Sequence, residues 1–290
     1  MKYEKGTQND NVVDVRGRKS VAPKVAGGSL ALVVVAFLVS RFLGVDISGI
    51  IGGGGGGGGK TTPSSQQGPG SAAPLDGPDP DAELVDHIKF VMKDIQGTFE
   101  AMFKAEGRQY QHAKLYIFSD AISTACGHAS KDIGPFYCPG DSNAYIDLSF
   151  YRDLKKRFGA PGDFAEVYVL AHEIGHHLQN LTRIAGKEPK PRAGENKNQH
   201  SVRIELQADC FAGIWAKTAQ GKNLLEEGDL DEALNAATAI GDDRLQQQAG
   251  MEVQPESFTH GTSEQRVRWF RKGYDGGTFA SCDTFSAPSL

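Results

Sequence analysis

A run of eight glycines at residues 52–59, directly after a long apolar segment, constrains the architecture of this chain more than any other feature. Ordering such a run would cost too much backbone entropy for it to belong to a packed core. A stretch rich in Pro, Ser and Gln follows it. We therefore expect residues 46–79 to be a disordered, flexible linker and residues 80–290 to form one folded domain.

Residues 25–45 are apolar apart from Arg41 near their end. A helix of this length spans a hydrocarbon core of about 30 Å. Four basic residues lie close before the segment, namely Arg16, Arg18, Lys19 and Lys24. This positive charge predicts a cytoplasmic tail over residues 1–24, a single span in the inner membrane and a domain in the periplasm or outside the cell. A cleaved signal peptide is the alternative, but no Ala-x-Ala site follows the segment.

Charge and cysteine content limit the partners and the compartment. With 36 acidic and 31 basic residues, the net charge of -5 argues against a nucleic-acid binder. The four cysteines are Cys126, Cys138, Cys210 and Cys282. The short interval between the first two cysteines favours one disulfide from Cys126 to Cys138 and a second from Cys210 to Cys282. The alternative is four reduced, buried thiols.

The hydrophobic pattern predicts an α+β domain that is mostly helical and has a small mixed sheet. Apolar residues recur at helical spacing from Leu84 to Met102, after a favourable cap at Asp79 and Pro80. Strand-like runs occupy residues 114–118, 136–138 and 143–148, and helical patterns cover residues 150–157, 163–184, 200–219, 229–248 and 263–272.

His172, Glu173 and His176 form a His-Glu-x-x-His motif within one of these helical patterns. Histidines one turn apart share a face of a helix, so both can reach one Zn²⁺ ion per chain at about 2 Å. Glu173 can then accept the proton of a water molecule at the open coordination position. Gln179 and Thr182 stand where a metzincin would have glycine and histidine, so the third ligand must come from elsewhere.

Glu205 and Asp209 lie one helical turn apart in a later, largely apolar pattern. Glu205 would complete a His₂Glu zinc site, and Asp209 would fix the free ring nitrogen of one histidine. The alternative is a solvated helix face, although two carboxylates among apolar neighbours are costly to bury without a partner such as a metal.

The Glu-x-x-x-Asp pair after His-Glu-x-x-His resembles the gluzincin clan. Over about residues 80–285, the chain also resembles the bacterial YpfJ-like neutral zinc metallopeptidases, through residues 126–127, 134–139, 172–179, 205–210 and 259–263 and through the N-terminal anchor. This resemblance implies a zincin-like fold in which His172, His176 and Glu205 bind zinc. It also implies that Glu173 is catalytic and that the domain faces the periplasm or the cell exterior.

His260 lies in a Thr-His-Gly-Thr-Ser turn before the last helical pattern. It is a candidate for stabilising the oxyanion, because peptidases of the clan that the chain resembles often place a His or Tyr opposite the metal. Tyr137 and Tyr145 are alternatives for this role, and a simple capping turn with an exposed His260 is an equal possibility. We expect His177 and His200 to lie at the surface.

The sequence thus predicts a membrane-anchored zinc peptidase that acts on peptides or proteins and contacts the lipid bilayer through residues 25–45. An exposed edge at residues 143–148 would hold an extended peptide and favour endopeptidase action, while a core strand there is equally plausible. Two other functions stay open. One is a non-catalytic, zinc-stabilised binding or chaperone module of the envelope, and the other is a zinc amidase acting on cell-wall peptides.

Overall fold

The computed structural model describes residues 1–17, 77–184 and 191–290. Within these residues it contains seven α-helices and six strands, which confirms an α+β fold with a small mixed sheet. The helices are α1 (Ala82–Ala105), α2 (Ser149–Lys156), α3 (Asp163–Ile184), α4 (Lys197–Gly221), α5 (Asp229–Ala239), α6 (Asp242–Gln248) and α7 (Ser263–Gly276). The strands are β1 (Val12–Asp14), β2 (Leu115–Phe118), β3 (Ala121–Thr124), β4 (Gly127–Ser130), β5 (Phe136–Cys138) and β6 (Asn143–Asp147).

The main sheet has the order β1-β2-β6-β5, and β3 and β4 form a separate antiparallel hairpin. Strands β1, β2 and β6 run parallel, whereas β5 is antiparallel to β6. Strand β6 is therefore internal, with Tyr145 paired to Tyr116 on one side and to Phe136 on the other. Of the two possibilities for residues 143–148, an exposed edge or a core strand, the structure shows the core strand, because β5 covers that side and is itself the edge.

Helices α3, α4 and α7 form the centre of the molecule, and glycines set how closely they approach. A Cβ atom at Gly175 of α3 would lie 2.9 Å from the Cα atom of Ala208 in α4. Where α4 crosses α7, a Cβ atom at Gly213 or Gly273 would overlap the backbone of the opposite helix. The backbones thus touch at these crossings, and this contact fixes the register of the three helices.

The helical pattern over residues 229–248 divides into two helices, α5 and α6, where one was expected. The break falls at Gly241, where a Cβ atom would lie 2.5 Å from the backbone nitrogen of Ser263. The start of α7 therefore occupies the space that a continuous helix would need.

Residues 1–17 are part of the folded unit. Strand β1 forms the second edge of the main sheet, with Val12 beside Leu115 in the register. Val12 and Val15 are both buried. A domain boundary at residue 80 therefore leaves out residues 1–17, which the structure places on the same sheet as the rest of the domain.

Both disulfides favoured by the cysteine spacing are present, Cys126–Cys138 and Cys210–Cys282. The first joins the β3–β4 hairpin to the edge strand β5, and the second joins α4 to a 3₁₀ helix at Phe279–Cys282. Among the residues that the structure describes, no helix has the length and apolarity needed to cross a membrane. The predicted span at residues 25–45 and nearly all of the predicted linker lie outside those residues.

Candidate active site

Three side chains from two helices converge at one point. Helix α3 presents His172 and His176, whose Nε2 atoms lie 3.1 Å apart, and α4 presents Glu205. The Glu205 Oε2 atom lies 3.2 Å from Nε2 of His172 and 3.5 Å from Nε2 of His176. Ligands held at about 2.0–2.1 Å from a tetrahedral zinc ion are about 3.3 Å apart, so these three atoms fit zinc as they stand.

Asp209 orients the first histidine from a fully buried position one turn along α4. Its Oδ1 atom lies 2.8 Å from Nδ1 of His172, which leaves Nε2 directed at the metal position. Arg266 of α7 donates two hydrogen bonds of 2.9 Å to the Asp209 carboxylate, and the Tyr168 hydroxyl donates a third at 2.5 Å. The hydrogen bonds from Arg266 and Tyr168 thus compensate the buried negative charge of Asp209.

Gln179 orients the second histidine. Its Oε1 atom accepts a hydrogen bond from Nδ1 of His176 at 2.9 Å, and its Nε2 atom donates to the Ile204 carbonyl at 2.7 Å and to Gln207 at 3.1 Å. Both histidines therefore use Nδ1 for orientation and keep Nε2 for a metal. From the sequence, Gln179 was notable only because it stands where a metzincin has a different residue. Tyr168 and Arg266 belong to no sequence motif that would have identified their role.

The charges around the three donor atoms favour a cation. Burial alone would lower the pKa of His172, but Asp209 and Glu205 raise it to about 10. Burial alone would raise the pKa of Glu205, but His176 and His260 hold it well below its usual range. The carboxylates thus favour positive charge at the donor atoms, and a divalent metal held by His172, His176 and Glu205 would supply it.

Glu173 lines a long cleft beside the two histidines and is almost completely buried. The cleft has a volume of about 1710 Å³ and is open to solvent. Its wall is rich in aromatic side chains, among them Phe136, Tyr137, Phe150, Phe158, Phe211 and Phe279. The first two of these belong to β5, so the free edge of the sheet borders the cleft.

His260 lies on the loop before α7 and also lines this cleft, with about a third of its side chain exposed. Asp242, fully buried at the start of α6, holds the loop: it accepts hydrogen bonds from the backbone N–H groups of His260 at 2.7 Å and Gly261 at 3.1 Å. Its Oδ1 atom lies 3.1 Å from Nδ1 of His260. This contact leaves Nε2 as the ring nitrogen for the cleft.

The two tyrosines considered for the same role are engaged elsewhere. The Tyr137 hydroxyl donates to Nδ1 of His177 at 3.0 Å and accepts a hydrogen bond from Asn180 at 2.7 Å. The Tyr145 hydroxyl donates to Asp141 at 2.8 Å, and its side chain is buried. Of the three candidates, we therefore retain His260, whose ring nitrogen Nε2 is on the side away from Asp242.

His177 is completely buried, so the expectation of a surface position is wrong. Its Nε2 atom donates to the carbonyl of Gln111 at 2.6 Å, and burial lowers its pKa to about 4. It is buried because α3 packs against α4 and α5 and also against the strands β5 and β6. His200 is also less exposed than expected, with its ring 3.6 Å from Glu195.

Comparison with known proteins agrees with this geometry. The chain is 43% identical over 300 residues to "Uncharacterized protein YpfJ" of Escherichia coli strain K12, covering 98% of this chain and 99% of YpfJ. It is 44% identical over 204 residues to "Uncharacterized protein Rv2575" of Mycobacterium tuberculosis strain H37Rv, covering 67% of this chain and 69% of Rv2575. No solved structure matches. The family model described as "Putative neutral zinc metallopeptidase" matches residues 1–285, and the chain belongs to that family.

Proposed function

We propose that this chain is a zinc-dependent endopeptidase with a zincin-like catalytic domain. The observation that carries the proposal is the spacing of 3.1–3.5 Å among Nε2 of His172, Nε2 of His176 and Oε2 of Glu205, with Glu173 beside them in an open cleft. A purely structural zinc site has no need of an unligated carboxylate or of a cleft that reaches the donor atoms.

Zinc, when bound by these three side chains, supplies a water molecule of lowered pKa and polarises the carbonyl group of the scissile peptide. Glu173 accepts the proton of that water and passes it to the leaving amine. Asp209 and Gln179 hold the two imidazole rings in place while the charge on the substrate changes. With Nδ1–H directed at Asp242, His260 in its imidazolium form donates a hydrogen bond from Nε2 to the developing oxyanion.

The position of the cleft supports cleavage within a chain. An extended peptide can pair with the free edge of β5 through main-chain hydrogen bonds, and its carbonyl group then faces the donor atoms. The aromatic wall offers apolar side chains of the peptide a surface to bury. Because the cleft is open to solvent, it can admit an extended peptide.

The proposal includes an anchor at residues 25–45 and a catalytic domain outside the cytoplasm. Two disulfides support an oxidising compartment, since such bonds are rare in cytosolic proteins.

The test compares the full-length protein in detergent with Glu173→Gln, for zinc content and for hydrolysis of casein and of a peptide library. We expect Glu173→Gln to keep about one zinc per chain and to lose roughly 10²–10⁴-fold in kcat, the usual contribution of a general base. Glu264→Gln is the matched control, because Glu264 is an exposed carboxylate on α7. Full activity in Glu173→Gln would contradict the mechanism. Zinc without hydrolysis in any variant would favour a binding module, and cleavage of muropeptides alone would favour the amidase.

A further inference from the structure

Residues 1–17 contact the rest of the domain at several points along their length. The backbone nitrogen of Leu115 donates to the Asn11 carbonyl at 2.7 Å, and that of Val15 donates to the Ile117 carbonyl at 2.8 Å. Before the strand, the backbone nitrogen of Gly6 donates to the Asp86 carboxylate of α1 at 2.8 Å. The ring of Tyr3 packs 4.7 Å from that of His87. These contacts belong to a structural strand rather than to a tail.

A buried arginine joins the two ends of the segment from residue 18 to residue 76. Arg16 is only 6% exposed, and its guanidinium group contacts three carboxylates. It donates to Asp14 at 2.7 Å, to Asp79 at 2.5 Å and to Asp81 at 3.1 Å. Asp14 precedes the segment and the other two follow it, so the chain leaves and rejoins the domain at the same place.

Separating residues 1–17 from the domain is energetically costly. It would leave the edge of β2 unpaired and would expose Val12 and Val15 to water. It would also remove the guanidinium group that compensates the charge of Asp79, and it would leave Asp81 with Arg152 alone, at 3.5 Å. The strand and the domain therefore fold in one compartment.

From these contacts we infer that residues 1–17 and the catalytic domain lie on the same side of the membrane. This inference rests on the proposed anchor. A single crossing by residues 25–45 would put residues 1–17 and the domain on opposite sides, which the sheet does not permit. The cytoplasmic position expected for residues 1–24 from their basic residues is replaced by one shared with the domain.

The test labels single cysteines in the full-length protein in its membrane. Lys5→Cys reports on the N-terminal residues and Glu264→Cys on the domain, since both side chains are more than 70% exposed. Wild type is the control, because all four native cysteines are in disulfides. Intact spheroplasts and detergent-lysed ones are treated with a maleimide that does not cross membranes.

We expect both variants to be labelled to the same extent before lysis. Labelling of both only after lysis also supports one shared side and would move the domain to the cytoplasm. Labelling of Glu264→Cys in intact spheroplasts, with Lys5→Cys labelled only after lysis, overturns the inference. Loss of the protein from the membrane on a carbonate wash removes the anchor and the inference with it. None of these outcomes depends on peptidase activity, which is measured separately in detergent.

Discussion

At the scale of single residues, Asp209 connects a proposed zinc ligand to the interior of the protein through Arg266 and Tyr168. We expect Asp209→Ala to weaken zinc binding by about 10–100-fold, because Nδ1 of His172 loses its partner. Competition with a chromophoric chelator measures this affinity. Glu264→Ala provides the control on an exposed carboxylate, and an unchanged zinc affinity in Asp209→Ala would show that His172 is oriented by packing alone.

Glu166, near the start of α3, gives a prediction about pH. Burial raises its pKa to about 7, and Asp163 and Glu232 contribute by repulsion. When the pKa of a carboxyl group is higher in the folded state, the unfolded state ionises first as pH rises. The protein therefore loses stability between about pH 4.5 and pH 7. Glu166→Gln should therefore increase the free energy of unfolding by about 1–3 kcal/mol at pH 7.5.

Urea denaturation of this variant and wild type at several pH values measures the effect. The difference should shrink as pH falls towards 4.5 and below, where Glu166 becomes protonated in both states. A gain of equal size at pH 4.5 and pH 7.5 would mean that ionisation of Glu166 is not its source.

The sequence was sufficient to find the residues that lie one helical turn apart, His172 with His176 and Glu205 with Asp209, because local spacing determines which face they share. It did not identify Arg266, since an arginine on an amphipathic helix is usually solvated. Its role depends on where α7 crosses α4, which local patterns do not encode. His177 was misplaced for a related reason: helical periodicity does not show that α3 packs against both helices and strands.

At the scale of elements, the crossing of α4 and α7 depends on glycines in both helices. Gly213→Ala would press a methyl group against the backbone of α7, and we expect a loss of roughly 1–3 kcal/mol or more in unfolding free energy. Gly221→Ala is the matched control in the same helix, because no atom lies within 4 Å of the added carbon. Its stability should equal or exceed that of wild type by up to about 1 kcal/mol.

The urea midpoint at constant slope measures both variants. Equal stabilities for Gly213→Ala and Gly221→Ala would mean that the two helices move apart easily and that the contact does not fix their register.

Helices with a clear apolar stripe were predicted close to their observed bounds, as the pattern over residues 163–184 shows. Strand β1 was missed because only three residues pair and their partners lie about 100 positions away. The sequence also left open whether residues 143–148 form an edge strand or a core strand. Alternation identifies a strand, but only the topology of the sheet decides which strand is the edge.

At the scale of the whole molecule, the two disulfides close loops of very different length. Cys210 and Cys282 are separated by 72 residues and Cys126 and Cys138 by 12. Loop entropy in the unfolded chain gives about 4 kcal/mol for the long loop and about 3 kcal/mol for the short one. Cys210→Ala with Cys282→Ala should therefore destabilise the protein more than Cys126→Ala with Cys138→Ala. Urea midpoints compare the two double variants, and the reverse order would contradict this account.

The hydrogen bonds from Arg16 to Asp79 and Asp81 have a practical consequence for protein engineering. A shortened protein that begins at residue 80 lacks an edge strand and leaves an unpaired sheet edge prone to aggregation. Since residue 17 and residue 77 emerge at the same place, a short glycine–serine turn can join them directly. Such a deletion of residues 18–76 would retain every secondary-structure element described above and yield a shorter protein for crystallisation without lipid.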